Sequence, residues 1–355
     1  GGRIDDEGRI HAADDAAGFE PLSRDTEERA ILARRLIAER CLYGVDKNPL
    51  AVELAKLSLW LTTLAKGRPF GFLDHNLRSG DSLLGIHDLG QLIELDMKPK
   101  GKAQLRLFGR TIRSAVDKAL ALRTQLRLIP IRDIGDVEAM AALDAQSRSE
   151  LALPELIADA LVGIALADNR AVRVTSLATM ADEAAGSDVN ARTRLLRQAK
   201  VDLALDAPDG MPRHPFHWPL EFPEVFLREN GGFDAFVGNP PFVGGRRIRS
   251  AAGASYNDYL VELHSGSGRN ADLVVHFFRR GWTMLRPEGG SGFLATNSIA
   301  EGDSRQSGLE WLVRDGAVIY AAYPSEAWPG KAAVVTSRVH IRRGRWKGDR
   351  VLSGT

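Results

Sequence analysis

Cysteine is almost missing from this chain: Cys41 is the only one in 355 residues. A disulfide framework and a cysteine-built zinc site are excluded, and a reducing cytoplasm suits the chain. Cys41 itself is expected to be a small buried residue beside the strand it precedes. No apolar run approaches the ~20 residues that a membrane-spanning helix needs, and nothing near the start reads as a signal peptide. Neither sign of charge dominates, with 47 Lys and Arg against 46 Asp and Glu, so net charge argues neither for nor against nucleic acid. Internal repeats are absent too. The chain opens on Gly1-Gly2 rather than methionine, so it is expected to be a piece of a longer protein.

What is present is ordinary globular composition, 44% hydrophobic and 26% charged, enough for a sizeable core. Residues 1–21 are polar and patternless and read as loop. Asp25 with Glu28 three positions on marks a helix start, and Glu27 to Arg40 follows as that helix. Leu42 to Val45 reads as a short buried strand ending on Asp46. Asn48 then caps a second helix with Pro49 in its first position. Leu50, Leu54, Leu57, Leu61 and Leu64 form one apolar stripe along it until Gly67. A further short strand ends near Asp81.

From about 92 to 210 the texture is helical without clear strands, with Leu195, Leu196, Ala199 and Leu203 on one face and Arg194, Arg197 and Lys200 on another. This stretch is read as a helical insertion between an N-terminal part (1–91) and a C-terminal part (211–355). The latter holds a strand at Phe233 to Val237, a helix at Asp272 to Leu285 and a strand at Gly292 to Thr296. A helix around Ser304 to Val313 and closing strands at Val318 to Tyr323 and Ala333 to Ile341 complete it. Alternation of strands and helices implies an α/β fold with a mostly parallel sheet, whose ligands bind beyond the C-terminal strand ends. Asp46, Asp81 and Asn239 all sit at such ends.

Each has a bland and a functional reading. A carboxylate just past a strand, as Asp46 is, suits two ribose hydroxyls of a nucleoside cofactor, or simply caps the next helix. Asp81 can accept from an exocyclic adenine amine, or be a turn aspartate. In Asn239-Pro240-Pro241-Phe242 two prolines end the strand, since neither has an N–H to donate. The Asn239 side-chain oxygen and the Pro240 carbonyl can both accept from one planar amino group. That pulls its nitrogen toward tetrahedral geometry and localises its lone pair, while Phe242 stacks on the ring.

With these residues in place, the chain resembles the S-adenosylmethionine-dependent adenine-N6 DNA methyltransferases, of the large type found in restriction-modification and phage-defence systems. The resemblance is carried by YGVDKNPLAVELAKLSLWL, GDSLLG, FHWPLEFPEVF, FDAFVGNPPFVGGRRIR, NADLVVHFFRRGWTMLRPEGGSGFLATNSIAEGD and WPGKAAVV, in that order. It implies a Rossmann-like sheet and methyl transfer from S-adenosyl-L-methionine to a flipped adenine in duplex DNA. Asn239, Pro240, Pro241 and Phe242 would form the catalytic pocket, with Asp46, Lys47, Asp81 and Ser82 toward the cofactor. Arg246, Arg247 and Arg249 would lie on DNA phosphates, and restriction or defence-system subunits are the implied partners. One element of the pattern is missing: residues 1–41 hold no strand and Gly-rich turn for the methionine half of the cofactor. The first strand of the sheet is therefore expected to be absent, and the chain alone to lack useful cofactor affinity. The rivals are a methyltransferase acting on RNA or on protein glutamine amides, and a non-catalytic DNA-binding remnant. Gly266 to Ala271 reads as a glycine linker with Asn270 capping the next helix. His214 and His217 read as packing and hydrogen-bonding groups rather than metal ligands.

Overall fold

The structure is a computed structural model, and it describes residues 2–4, 9–12, 20–64, 69–101, 107–167, 170–327 and 335–353. Gly67 and most of WPGKAAVV (328–334) lie outside the described residues. The first residues are not all loop. β1 (Gly2–Ile4), β2 (Ile10–Ala12) and β3 (Glu20–Pro21) form a small antiparallel sheet, too short for its alternation to be legible. α1 (Thr26–Arg40) starts where Asp25 caps it, the carboxylate accepting from the Glu27 and Glu28 amides. β4 (Gly44–Asp46) leads into α2 (Pro49–Thr62), capped by Asn48 through the Leu50 amide at 3.0 Å.

β4 is half-buried rather than fully buried, and Cys41 is exposed, contrary to expectation. The reason is visible in the pairing. Among the described residues β4 bonds only to β5 (Leu77–Ser79), in parallel, and these two strands form a sheet of their own. After α3 (Leu89–Glu94) come four long helices: α4 (Leu107–Leu128), α5 (Ile134–Leu166), α6 (Arg170–Ala185) and α7 (Val189–Leu203). They pack around Ile112, Val116, Ile157, Leu161 and Leu177. Leu195, Ala199 and Leu203 of α7 are buried as read, whereas Leu196 points outward, a quarter-turn off the stripe.

Short α8 (Trp218–Glu221) and α9 (Pro223–Phe226) return the chain to the second sheet. β6 (Phe233–Gly238) is followed by α10 (Gly245–Ala252), α11 (Ala254–Leu263) and α12 (Leu273–Met284), then β7 (Leu285–Thr296). A 3₁₀ turn, α13 (Gly302–Arg305), a π-helical turn and α14 (Trp311–Arg314) precede β8 (Ala317–Ala327), β9 (Val335–Arg343) and β10 (Val351–Leu352). The order is β10-β8-β9-β7-β6. The sheet is mixed rather than mostly parallel. β9 slots between β7 and β8 and is antiparallel to both, because it follows β8 directly and must run back beside it. The helix after Asn270 is capped at Asp272, not at Asn270.

Among the described residues no backbone pairing joins β4 to β6. An aromatic cluster bridges the two sheets instead. Tyr43 meets Phe222 edge-on at 4.9 Å and Phe233 at 5.7 Å, while Trp218 reaches Phe236 at 6.0 Å. The proline-rich FHWPLEFPEVF supplies Trp218 and Phe222, and the chain from His214 to Trp218 runs beside residues 81–86 through Asp81 N to His214 O, Phe216 N to Leu84 O and Trp218 N to Ile86 O.

Candidate active site

Between β4 and β6 lies a cleft of about 1540 Å³. Its walls are the facing strands Gly44–Asp46 and Phe233–Gly238, with Lys47, Gly80, Asp81 and Ser82 on one lip and Asn239, Pro240 and Pro241 on the other. Residues almost 200 apart in sequence thus line one cleft, Asp46 at the carboxyl end of β4 and Asn239 just past that of β6. Phe242 is half-exposed and stands outside this lining.

Local folding explains each position. Asp46 ends β4 with one carboxylate oxygen accepting from the Asn48 amide at 2.7 Å, which fixes the side chain beside the start of α2. It is exposed and has a second oxygen with no partner among the described residues. Asp81 is nearly buried. Its Oδ1 accepts from the Leu83 and Leu84 amides at 3.1 and 3.3 Å, and exposed Lys47 lies 3.6 Å from Oδ2. Gly85 closes this turn: its φ is +144°, and a Cβ there would sit 2.1 Å from the Phe216 carbonyl oxygen. The GDSLLG pattern is therefore a tight loop pressed against the proline-rich segment.

The stretch after the prolines has its own logic. A Cβ on Gly245 would meet the Asn270 carbonyl oxygen at 2.0 Å, so only glycine fits there. The Gly245 amide donates to Asp272 at 2.9 Å, and the other Asp272 oxygen accepts from the Ser298 hydroxyl. The Leu273 amide donates to the Val243 carbonyl at 2.9 Å. Asp272 and Leu273 thereby tie the chain just after the double proline and the start of α10 to the turn that follows β7. Arg246, Arg247 and Arg249 then fall on a helix, α10, with all three exposed around buried Ile248. Arg249 pairs with Asp258 at 3.4 Å. A further group of basic residues near the C-terminus, Arg342, Arg343, Arg345, Lys347 and Arg350, lies elsewhere. Arg342 and Arg343 pair in register with Gly290 and Ala317, near the opposite ends of the strands from Asn239.

Two features escaped the sequence. Tyr256, on α11, donates to Asp81, at 3.0 and 3.1 Å from its two oxygens; a single tyrosine 175 positions away carries no readable signal. Behind Tyr43 and Glu224, which line the cleft, lies a buried charge network. Glu224 accepts from Arg123 through two bonds of 2.6 Å and from the Tyr43 hydroxyl at 3.0 Å, and Arg123 also donates to the His75 carbonyl. Arg78 joins Asp144 and Glu221. Burial, then the Glu224 carboxylate, holds the Tyr43 phenol above its ordinary range, so it remains a donor. These bonds tie α4 and α5 to β4 and β5. His217 bonds Asp159 at 3.1 Å and accepts from the Ile86 amide at 3.4 Å.

The profile of the Eco57I restriction-modification methylase family matches residues 40–319. A Methanocaldococcus jannaschii protein named as a type II restriction enzyme and methyltransferase is 26% identical over 283 residues, 74% of this chain and 22% of that protein. The chain thus spans about a fifth of the length of the curated relative it matches. Among solved structures, the type IIL restriction-modification enzyme MmeI, in complex with DNA, aligns at 14% identity over 89% of this chain and 33% of its own, with a TM-score of 0.31. A modification subunit of a type I restriction enzyme from Vibrio vulnificus YJ016 aligns at 10% identity over 91% of this chain and 77% of its own, with a TM-score of 0.25. With the family profile covering both lips of the cleft, the chain belongs to the Eco57I restriction-modification methylase family.

Proposed function

We propose that this protein methylates the N6 amine of an adenine flipped out of duplex DNA, using S-adenosylmethionine, within a restriction-modification or phage-defence system. One observation carries the reading: Asp46, Asp81, Asn239 and Pro240 converge on one cleft from two separate sheets. The donor set fits the nucleoside half of the cofactor. Asp46 keeps a carboxylate oxygen for ribose hydroxyls, and Asp81 presents a nearly buried acceptor for an adenine amine, with Lys47 and Ser82 beside them. S-adenosylmethionine, when bound, supplies a methyl group on a sulfonium, ready for in-line transfer.

The chain's own part is to prepare the amine. Pro240 is buried and rigid, so its carbonyl needs no reorganisation, and Asn239 at the lip supplies the second acceptor. Phe242, half-exposed beyond the lip, would stack on a base entering from DNA. The exposed Arg246 and Arg247 lie one helix away, with Arg249, to neutralise phosphates around the vacated position. The two sheets would be the flanks of one Rossmann-like sheet interrupted between β4 and β6, with the four-helix stretch inserted between its N-terminal and C-terminal parts. Restriction subunits would be the protein partners, and DNA rather than RNA or protein is favoured by the family match.

On the full-length protein, Asn239→Ala should abolish transfer from radiolabelled S-adenosylmethionine to DNA while cofactor affinity stays within about tenfold, because the amide acts on the amine in the transition state. Retained turnover would remove Asn239 from the chemistry. A 2-aminopurine at the target position should brighten on binding if the base is flipped.

A further inference from the structure

Asp81 is held from a second direction, by Tyr256, a residue of the cleft wall outside its own loop. Its Oδ1 takes the Leu83 and Leu84 amides, and the Tyr256 hydroxyl lies 3.0 Å from Oδ1 and 3.1 Å from Oδ2. Among the described residues, the ion-pair partner of Oδ2 is the exposed Lys47, at 3.6 Å. Oδ1 thus takes both loop amides, the Tyr256 hydroxyl bridges the two oxygens and fixes the plane of the carboxylate, and Oδ2, with no amide on it, is left as the acceptor toward the cleft. Tyr256 is buried at 4% exposure, in the first turn of α11. That turn is anchored twice more: Asp206 accepts from the Ser255 amide at 2.8 Å and its hydroxyl at 2.5 Å, and Arg213 donates to the Ala252 carbonyl at 2.6 Å. Ala252 is the last residue of the basic helix α10.

We propose that Tyr256 is a positioning residue for Asp81, fixing which carboxylate oxygen meets a nucleoside amine and making the α10–α11 hairpin part of the wall that recognises adenine. The inference rests on the reading of Asp81 as the acceptor for the cofactor's adenine. Burial, then the Asp81 carboxylate, raises the Tyr256 phenol well above its ordinary range, so it remains a donor at any working pH. Because the hydroxyl acts through Asp81, its loss should be felt as lost discrimination rather than as uniformly weaker binding.

The test is a nucleoside titration followed by NMR, which avoids the methionine half of the cofactor. Adenosine carries an exocyclic amine that donates to Asp81, whereas inosine carries an oxygen there. The unaltered protein should prefer adenosine by about tenfold or more. Tyr256→Phe keeps the ring and its packing, and should reduce that preference to about threefold or less. Asp81→Asn, whose amide can donate to the inosine oxygen, should abolish or reverse it. Tyr256→Phe with the full preference retained, alongside loss in Asp81→Asn, would overturn the role of Tyr256 and leave the nucleoside site standing. Absence of any adenosine preference in the unaltered protein would defeat the Asp81 reading, and the role of Tyr256 with it. If Tyr256→Phe does not fold, 3-fluorotyrosine at position 256, a stronger donor of the same shape, should shift the ratio; an unchanged ratio would overturn the proposal.

Discussion

Two leucine-rich stripes read alike in the sequence and end up in opposite environments. Along α7, Leu195, Ala199 and Leu203 are buried against α5 and its neighbours. Along α2 and just past it, Leu50, Leu54, Leu57, Leu61 and Leu64 are between 45% and 64% exposed. The spacing is equally helical in both. Periodicity states which face of a helix wants to leave water, and only the surrounding chain states whether anything is there to receive it. The same contrast separates the two sheets. β7 has a partner on each side, whereas the edges of β4 and β6 that border the cleft carry exposed positions, Val237 among them at 91%.

The largest effect is expected at the charges beneath the cleft. Arg123→Ala would leave buried Glu224 and Asp144 short of a partner, and should cost about 3–5 kcal/mol by denaturant unfolding. A loss below about 1 kcal/mol would mean that this network is no firmer than a surface pair. Next, Leu195→Ala should cost about 2–5 kcal/mol and Leu57→Ala well under 1 kcal/mol, since only the first opens a cavity. Equal costs would show that the α2 stripe is covered in solution.

Acid should probe the buried side again. Burial, with neighbouring arginines, lowers the His264 and His276 imidazoles, the latter to about 3, and their Nδ1 atoms lie 2.7 Å apart. Burial lowers His75 and His87 as well. Below the unfolded histidine value of about 6.5 the unfolded chain binds protons that the folded one refuses, so each group removes about 1.4 kcal/mol of stability per pH unit. Glu155 runs the other way. Burial, then Glu221, raises it to about 7, so the folded state keeps a proton that the unfolded state has lost above about 4.5, and stability falls as pH rises through that window. Four histidines outweigh one glutamate, and melting temperature should fall from pH 6.5 to 5.5. Glu155→Gln should steepen that fall; a flat profile in both forms would contradict the assignment.

The smallest effect on stability belongs to the exposed arginines. Replacing Arg246, Arg247 and Arg249 by alanine should leave unfolding within about 0.5 kcal/mol. DNA affinity should nevertheless weaken on any sequence, and its salt dependence should flatten by roughly one unit of slope for each arginine that had neutralised a phosphate. An unchanged slope in a salt titration would mark α10 as a solvated face.

Local chemistry along the chain accounts for the helix caps and the strand ends. Asp25 and Asn48 cap where they were read to cap, because a capping carboxylate or amide bonds amides two or three residues away. The double proline ends β6 because it lacks donors, and Asp46 and Asn239 fall where β4 and β6 stop. Tertiary structure alone decided who meets whom. That β9 would enter between β7 and β8, that Tyr256 would reach Asp81 and that Arg123 would seat Glu224 all depend on partners dozens to hundreds of residues apart. So does the exposure of Cys41 and of the α2 leucines. Burial is a property of pairs of surfaces, and a sequence pattern describes only one surface of each pair.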